Sequence, residues 1–308
     1  MTKEFLENCL KTAQFSEKKI DEILSNIEDL SFSSFKNFDF KTFGQTWIVT
    51  LTSSQKLRLK DIQDDIVPSS DLRETMVKFL ARKFVRTQYK LLEDMKIEDF
   101  SINPFMVRLL GLRTPEEVVG YFARSNFFIS VATSLGFYLE HFLIDGHTNV
   151  KKIPQTKGKG GFDARKTDTE ETFELEFKSG PNDVNKTAMR QYNTDFQKKE
   201  KQGVTPILAM LYGTRDKSMA FTHARNELDK PDDWVMVGKE VWEFVSGEDD
   251  YDNRVMGWMV EAVNDLDLSN KILDQLDLTV SRLAEEFEEE FGKGEEGVQK
   301  YISESMGD

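Results

Sequence analysis

The stretch GGFDARKTDTEETFELEFKSGPNDVN, residues 160–185, decides the fold. Its second half alternates strictly from Thr172 to Lys178, with Phe173, Leu175 and Phe177 on one face and Glu174, Glu176 and Lys178 on the other. Period-two alternation marks a strand with one face turned to a core. The residues just upstream supply an antiparallel partner, completing a β-hairpin. A register that sets Asp163 opposite Glu176 also sets Phe162 opposite Phe177 and Ala164 opposite Leu175, so apolar meets apolar along one face. On the other face it brings the Asp163 and Glu176 carboxylates to about 5 Å, with the Lys178 ammonium one pleat away. Carboxylates this close repel unless a cation lies between them.

An Asp, then a Glu-x-Lys on the neighbouring strand, is what metal-dependent phosphodiester hydrolysis needs. The carboxylates hold Mg²⁺, which polarises the scissile phosphate and activates water, while the lysine orients or stabilises that water. The segment resembles the PD-(D/E)XK nucleases, with Asp163 as the first acidic position and Glu176-Phe177-Lys178 as the Glu-x-Lys. Phe162 stands where the named motif has proline. More narrowly, Lys178-Ser179-Gly180-Pro181-Asn182, with Asn185 and Lys186 just beyond, resembles a subgroup of type II restriction endonucleases that carry a Lys-Ser-Gly-Pro-Asn run.

Two further stretches match the same enzymes. In them a Thr-Ser-x-Gly-x-x-x-Glu helix precedes the catalytic hairpin and turns its glutamate toward the metal site; Thr133, Ser134, Gly136 and Glu140 fit that pattern. The resemblance implies a metal-site or water-positioning role for Glu140, whereas position near a helix end alone reads as exposure. Gly238, Trp242 and Gly247 resemble a Gly-x-x-x-Trp-x-x-x-x-Gly helix found late in those proteins.

The resemblance implies a type II restriction endonuclease with an α/β fold, a mixed central sheet flanked by helices. Asp163 and Glu176 would bind the metal and Lys178 would assist the attacking water. The backbone carbonyl of Phe177, lying between the two motif side chains, is a further candidate ligand. Mg²⁺ is the implied cofactor, with Mn²⁺ expected to substitute, and double-stranded DNA the implied substrate. Cutting both strands of a symmetric site needs two centres, so a homodimer is expected. A cognate DNA methyltransferase acting on the same site is the implied partner in the host. Two alternatives stay open: a structure-selective repair or recombination nuclease with this core, and a non-catalytic helical protein whose acidic C-terminal region docks a basic partner.

Composition bounds these readings. A chain of 308 residues with 39% apolar residues and 24 Phe has ample material for a packed core. One cysteine, Cys9, excludes a disulfide framework, and three histidines at unsuitable spacings disfavour a Cys/His zinc site, which together suggest a reducing cytoplasm. No signal peptide is legible at the N-terminus, and no apolar run is read as a membrane span. The net charge of −14 is concentrated at one end: residues 227–308 carry 24 Asp/Glu against 7 Lys/Arg, leaving +3 on the rest. A near-neutral body with local basic stripes can still bind phosphate.

Along the chain, three regions are expected: a mainly helical 1–112, a catalytic core over 113–250, and an acidic helical 251–308. Residues 2–30 read as two short helices, and Trp47–Leu51 has the β-branched character of a strand. Between Ser70 and Leu92, Val77, Leu80, Phe84 and Leu91 form one helical face, while Lys78, Arg82, Arg86 and Lys90 repeat along another. That basic stripe suits either a DNA backbone or acidic neighbours within the fold. Thr114-Pro115-Glu116-Glu117 spells a helix start, and Phe127–Leu143 reads as a core helix. Lys151–Lys159 is a basic connector into the hairpin. A helix from about Asp183 to Gln202 begins where the catalytic strand ends, making Asn182, Asn185, Lys186, Arg190 and Gln191 candidates for DNA contact or plain surface groups. Thr205–Tyr212 reads as a strand buried on both faces, Met219–Thr222 and Trp234–Val237 as shorter strands. Leu273, Leu276, Leu278, Val280, Leu283 and Phe287 form an apolar seam, and 285–308 reads as a charged, solubilising helix.

Overall fold

The computed structural model describes residues 3–12, 14–25, 51–66, 69, 71–99, 101–154, 161–169, 171–180, 184–268 and 271–307. The expected strand at Trp47–Leu51 and the candidate contact Asn182 lie wholly or largely outside these residues. In chain order the helices before the sheet are α1 (Lys3–Thr12), α2 (Glu17–Leu24), α3 (Ser53–Asp65), α4 (Leu72–Asp94), α5 (Pro104–Leu110) and α6 (Pro115–Ile144). The sheet region follows: β1 (Val150–Lys152), β2 (Ala164–Thr167), β3 (Thr172–Lys178), α7 (Lys186–Glu200), β4 (Thr205–Met210), α8 (Met219–Glu227), α9 (Pro231–Trp234) and β5 (Val235–Val237). The chain closes with α10 (Lys239–Ser246), α11 (Tyr251–Asn264), α12 (Ile272–Phe291) and α13 (Gly294–Met306).

The five strands form one mixed sheet in the order β1-β2-β3-β4-β5. The first three are antiparallel neighbours, and β3, β4 and β5 run parallel. Parallel neighbours need a crossover, and α7 provides it between β3 and β4. This is the α/β architecture with a mixed central sheet and flanking helices that the hairpin implied.

Two compact units emerge, one built from residues 1–82 and 136–265, the other from 83–135 and 266–308. The first contains the sheet. Over one sheet face, Leu208, Met210, Val235 and Val237 pack with Met189 and Phe196 of α7, Phe221 of α8 and Trp234. β4 is buried along nearly its whole length, as its continuous apolar run predicts. Met219–Thr222, expected as a strand, instead begins α8: Ser218 caps it by accepting from the Phe221 N–H at 3.0 Å. A capping side chain outweighed the short apolar run.

In the second unit, Phe122 and Phe127 of α6 pack with Leu276, Val280, Leu283 and Phe287 of α12 and Val298 of α13. The seam expected on α12 is trimmed accordingly, because Leu273 and Leu278 are exposed. Leu276, Val280, Leu283 and Phe287 follow the i, i+4, i+7, i+11 spacing of one helical face; Leu278 falls off that face, and Leu273, which shares it, stands exposed in the first turn of the helix. The helix α13 contributes the buried Val298, and the Tyr301 hydroxyl donates to the Ile102 carbonyl at 2.7 Å, so this segment packs rather than merely solubilising.

Thr114 starts α6 as read: its Oγ1 accepts from the Glu117 N–H, and Glu117 Oε2 accepts from the Thr114 N–H. The expected core helix at Phe127–Leu143 is the second part of this single 30-residue helix, and it is not apolar-buried all round, since Phe128, Ile129 and Phe137 are exposed. Against the sequence reading, α6 is long and apolar enough to cross a membrane by length and composition. Its Val118, Val119, Phe122, Ala123 and Phe127 are nevertheless packed in a protein core, and it carries Glu116, Glu117, Arg124 and Glu140.

Candidate active site

The hairpin register holds from Thr167↔Thr172 to Ala164↔Leu175 and stops there. Asp163 is a kink rather than a further rung. Its N–H donates to the Leu175 carbonyl, while its own carbonyl accepts from Ile153 N–H, both at 2.8 Å. In a regular strand, the N–H and C=O of one residue point to the same neighbour; here they point to opposite ones, as in a β-bulge that re-aims a side chain. Phe162, expected opposite Phe177, therefore changes face and stacks on Phe196 of α7 at 5.6 Å. Strict pairing of Asp163 with Glu176 gives way as well. The Asp163 carboxylate curls over the end of β2, and its Oδ2 accepts from the Phe177 N–H at 2.8 Å.

The charged face of β3 is covered. α7 lies against it, with Lys199 paired to the buried Glu174 at 2.6 Å and Arg165 of β2 completing that pair at 2.6 Å. One pleat along, Glu176 Oε1 accepts from Lys178 Nζ at 2.6 Å and from the Tyr192 hydroxyl at 3.0 Å. Tyr192 is a site residue that the sequence analysis did not single out. Its signal was an aromatic ring with a polar tip on a helix that overhangs a charged strand.

Glu140, on the last turns of α6, pairs with Lys152 of β1 at 3.2 Å, and its side chain is only 18% exposed, so the reading of simple exposure does not hold. Gly136, one turn earlier, has a structural reason: a Cβ there would stand 3.0 Å from Ser179 Cβ, so its absence lets α6 approach the end of β3. Gly180 likewise leaves room for the Tyr212 ring. Glu176 and Glu140 both lie within electrostatic reach of the Asp163 carboxylate.

That crowding registers in the acid chemistry. Burial, then the Glu176 charge, and more weakly Glu140, push Asp163 up to about 6, against the pull of the Phe177 N–H and Lys178. Burial opposes charge on Lys178, but the hydrogen bond and negative charge of Glu176 outweigh it and push the ammonium up to about 12. Lys178 is thus a fixed cation at neutral pH, a donor and not a base. A cavity of about 560 Å³ opens beside this group, with Phe162, Glu176, Gln191 and Tyr192 in its wall.

The DNA-contact candidates are placed less uniformly. Asn185 caps α7, accepting from the Ala188 N–H at 2.9 Å. Lys186 and Arg190 both pair with Glu227, at 3.2 and 2.7 Å, with most of each cation exposed, and Gln191 donates to Asp195. On α4, Lys78 lies between Glu74 and Glu261 at 2.6 and 2.8 Å, and Arg82 faces Asp265 at 3.8 Å. Arg86 is half-buried and Lys90 is exposed.

The Gly-Trp-Gly helix is α10. Trp242 Nε1–H donates to the Leu211 carbonyl at 2.8 Å, while the Leu211 N–H donates to the Lys178 carbonyl at 2.9 Å. The tryptophan thus secures the ends of β3 and β4, where the charged group sits.

A family model for type II restriction endonuclease EcoO109I matches residues 71–265, well over half of the chain. The chain belongs to the type II restriction endonuclease EcoO109I family. Its restriction-endonuclease fold, with the hairpin, α7 and the Gly-Trp-Gly helix, falls inside the matched span, and membership makes it a nuclease that binds DNA. Among curated proteins none matches the chain.

Proposed function

We propose that this restriction endonuclease is a Mg²⁺-dependent enzyme of the PD-(D/E)XK type that hydrolyses double-stranded DNA at a specific site. The observation that carries the reading is the Asp163 kink: it brings a half-buried carboxylate over the end of β2 beside Glu176, whose partner Lys178 is ion-paired at 2.6 Å.

The donors suit the ion. Asp163 and Glu176 offer hard oxygen ligands. Strand alternation aims the Phe177 carbonyl at the same edge as its N–H, which meets Asp163. Among the described residues, no three His, Cys, Asp or Glu side chains converge closely enough to enclose an ion by themselves. Mg²⁺ asks for no such cage, since it is held by one or two carboxylates and keeps waters and substrate phosphate oxygens. Mn²⁺ shares this ligand preference and substitutes. When bound, the ion supplies Lewis-acid polarisation of the scissile phosphate and activates water.

The protein's own groups do the rest. Lys178, held as a cation, donates to the attacking water or to the charge developing on the phosphate. Glu140, tethered by Lys152, orients water on the far side of Asp163. Lys186 and Arg190, mostly exposed beyond the end of β3, exchange Glu227 for DNA phosphates, with Asn185 and Gln191 on the same helix start; Asn182, outside the described residues, joins them on its sequence position alone. Lys78, Arg82, Arg86 and Lys90 of α4 form a second, weaker contact stripe, because the Lys78 and Arg82 side chains are only 12% and 11% exposed. Two copies acting on a symmetric site make a homodimer the working form. Host DNA bearing that site requires protection, which a methyltransferase of matching specificity provides.

Incubating intact plasmid with the protein and Mg²⁺ tests the reading. Discrete fragments, abolished by chelator and by Lys178→Ala while DNA binding persists, are the expected outcome. Undiminished cutting by Lys178→Ala, or cutting in excess chelator, would show the chemistry to be misassigned.

A further inference from the structure

Glu176 is held from one side only. Its Oε1 takes both donors, the Lys178 ammonium at 2.6 Å and the Tyr192 hydroxyl at 3.0 Å, and its Oε2 has no hydrogen-bond partner among the described residues. A glutamate carries three rotatable bonds, and a single flexible lysine leaves much of that freedom unspent. The phenol is different, because its ring is seated. Tyr192 packs against Phe196 at 5.6 Å, Phe196 stacks on Phe162, and Phe162 precedes the Asp163 kink. The hydroxyl therefore reaches Glu176 from a rigid platform tied to both acidic segments of the site.

We infer that Tyr192 is a positioning residue that pins Glu176 Oε1 and so presents Oε2 to the divalent cation. The inference rests on the metal-site reading of Asp163 and Glu176 and adds to it a residue outside the acidic-lysine motif. The phenol has one proton, and Glu176 receives it. Outer partners of this kind orient the ligands they touch, and their loss costs about 10- to 100-fold in metal affinity or activity.

Tyr192→Phe in the full-length protein removes the hydroxyl and keeps the ring. Ca²⁺ titrated calorimetrically into the DNA-free protein, and Mg²⁺-dependent plasmid cleavage, are read together with a thermal melt. The expected result is cation affinity and kcat each reduced by about tenfold or more, with the KM for DNA and the melting temperature unchanged. In a Glu176→Gln background, the same substitution should change cation affinity by less than about twofold, because the hydroxyl acts through that carboxylate. Wild-type behaviour of Tyr192→Phe overturns the inference, as does a loss confined to the KM for DNA. If the wild-type protein itself neither takes up cation nor cuts, the metal-site reading falls and this inference with it.

Discussion

The Phe177 amide donates to Asp163 Oδ2 at 2.8 Å, so a backbone group of one strand holds a side chain from the end of its neighbour. This bond stands where a further ladder rung would have been. It locks the kink, fixes the carboxylate beside Glu176 and leaves the Phe177 carbonyl pointing to the same edge.

Asp163→Asn keeps an oxygen that can accept from Phe177 and removes one of three crowded negative charges. Cleavage should fall by about 10²- to 10³-fold, the scale of losing one group that organises transition-state charge. Stability in chelator should be unchanged or higher, because the remaining carboxylates no longer repel a half-buried neighbour. A thermal melt without metal showing the variant clearly less stable would contradict the crowding argument.

The two glycines that bracket α10 should respond differently to alanine. Gly238 sits at φ +60°, and a Cβ there would stand 2.3 Å from the Gly213 carbonyl oxygen, with only backbone to yield. Gly238→Ala should cost about 3 kcal/mol or more, combining strain with overpacking. Gly247 ends the same helix at φ +73° with open space around it, so Gly247→Ala should cost about 1–2 kcal/mol. Equal losses in urea unfolding would show that the close approach to Gly213 is not what matters.

His147 makes folding pH-dependent. Its Nδ1–H donates to the Leu143 carbonyl at 2.8 Å, its ring meets Tyr251 edge-on, and Nε2 is buried with no partner among the described residues. Burial pushes its pKa down to about 4, with Arg73 adding to the fall against the Leu143 hydrogen bond. The unfolded chain thus binds the proton more tightly. The stability this residue contributes is complete above about pH 6.5, declines as pH falls toward 4, and changes no further below that. The decline should amount to about 3 kcal/mol at most and should vanish in His147→Gln. Urea unfolding at pH 7, 5.5 and 4.5, with parallel losses in the variant and the wild type, would place the effect elsewhere.

Much of this molecule was legible in one dimension. The alternation of Thr172–Lys178 named β3 and, of the expected facing pairs, Ala164 with Leu175, because side-chain direction in a strand depends only on parity. Thr114-Pro115-Glu116-Glu117 named the start of α6, because capping is settled within four residues. The acidic-lysine pattern of Asp163, Glu176 and Lys178, together with the adjoining run that resembles restriction endonucleases, suggested the chemistry proposed above.

Other features needed the third dimension. Parity assumes a regular strand, so it could not foresee that Asp163 would bond Ile153 on one side and Leu175 on the other and turn Phe162 to the opposite face. Sequence spacing could not reveal that the charged face of β3 lies under α7, where Lys199 meets Glu174 and Tyr192 meets Glu176. Local pattern determined which residues share a strand, a helix or a cap, since those depend on neighbours along the chain. The meeting of Glu140, Asp163, Glu176, Lys178 and Tyr192 was decided by packing between segments up to 52 positions apart, where cavities, crowding and burial set the energy.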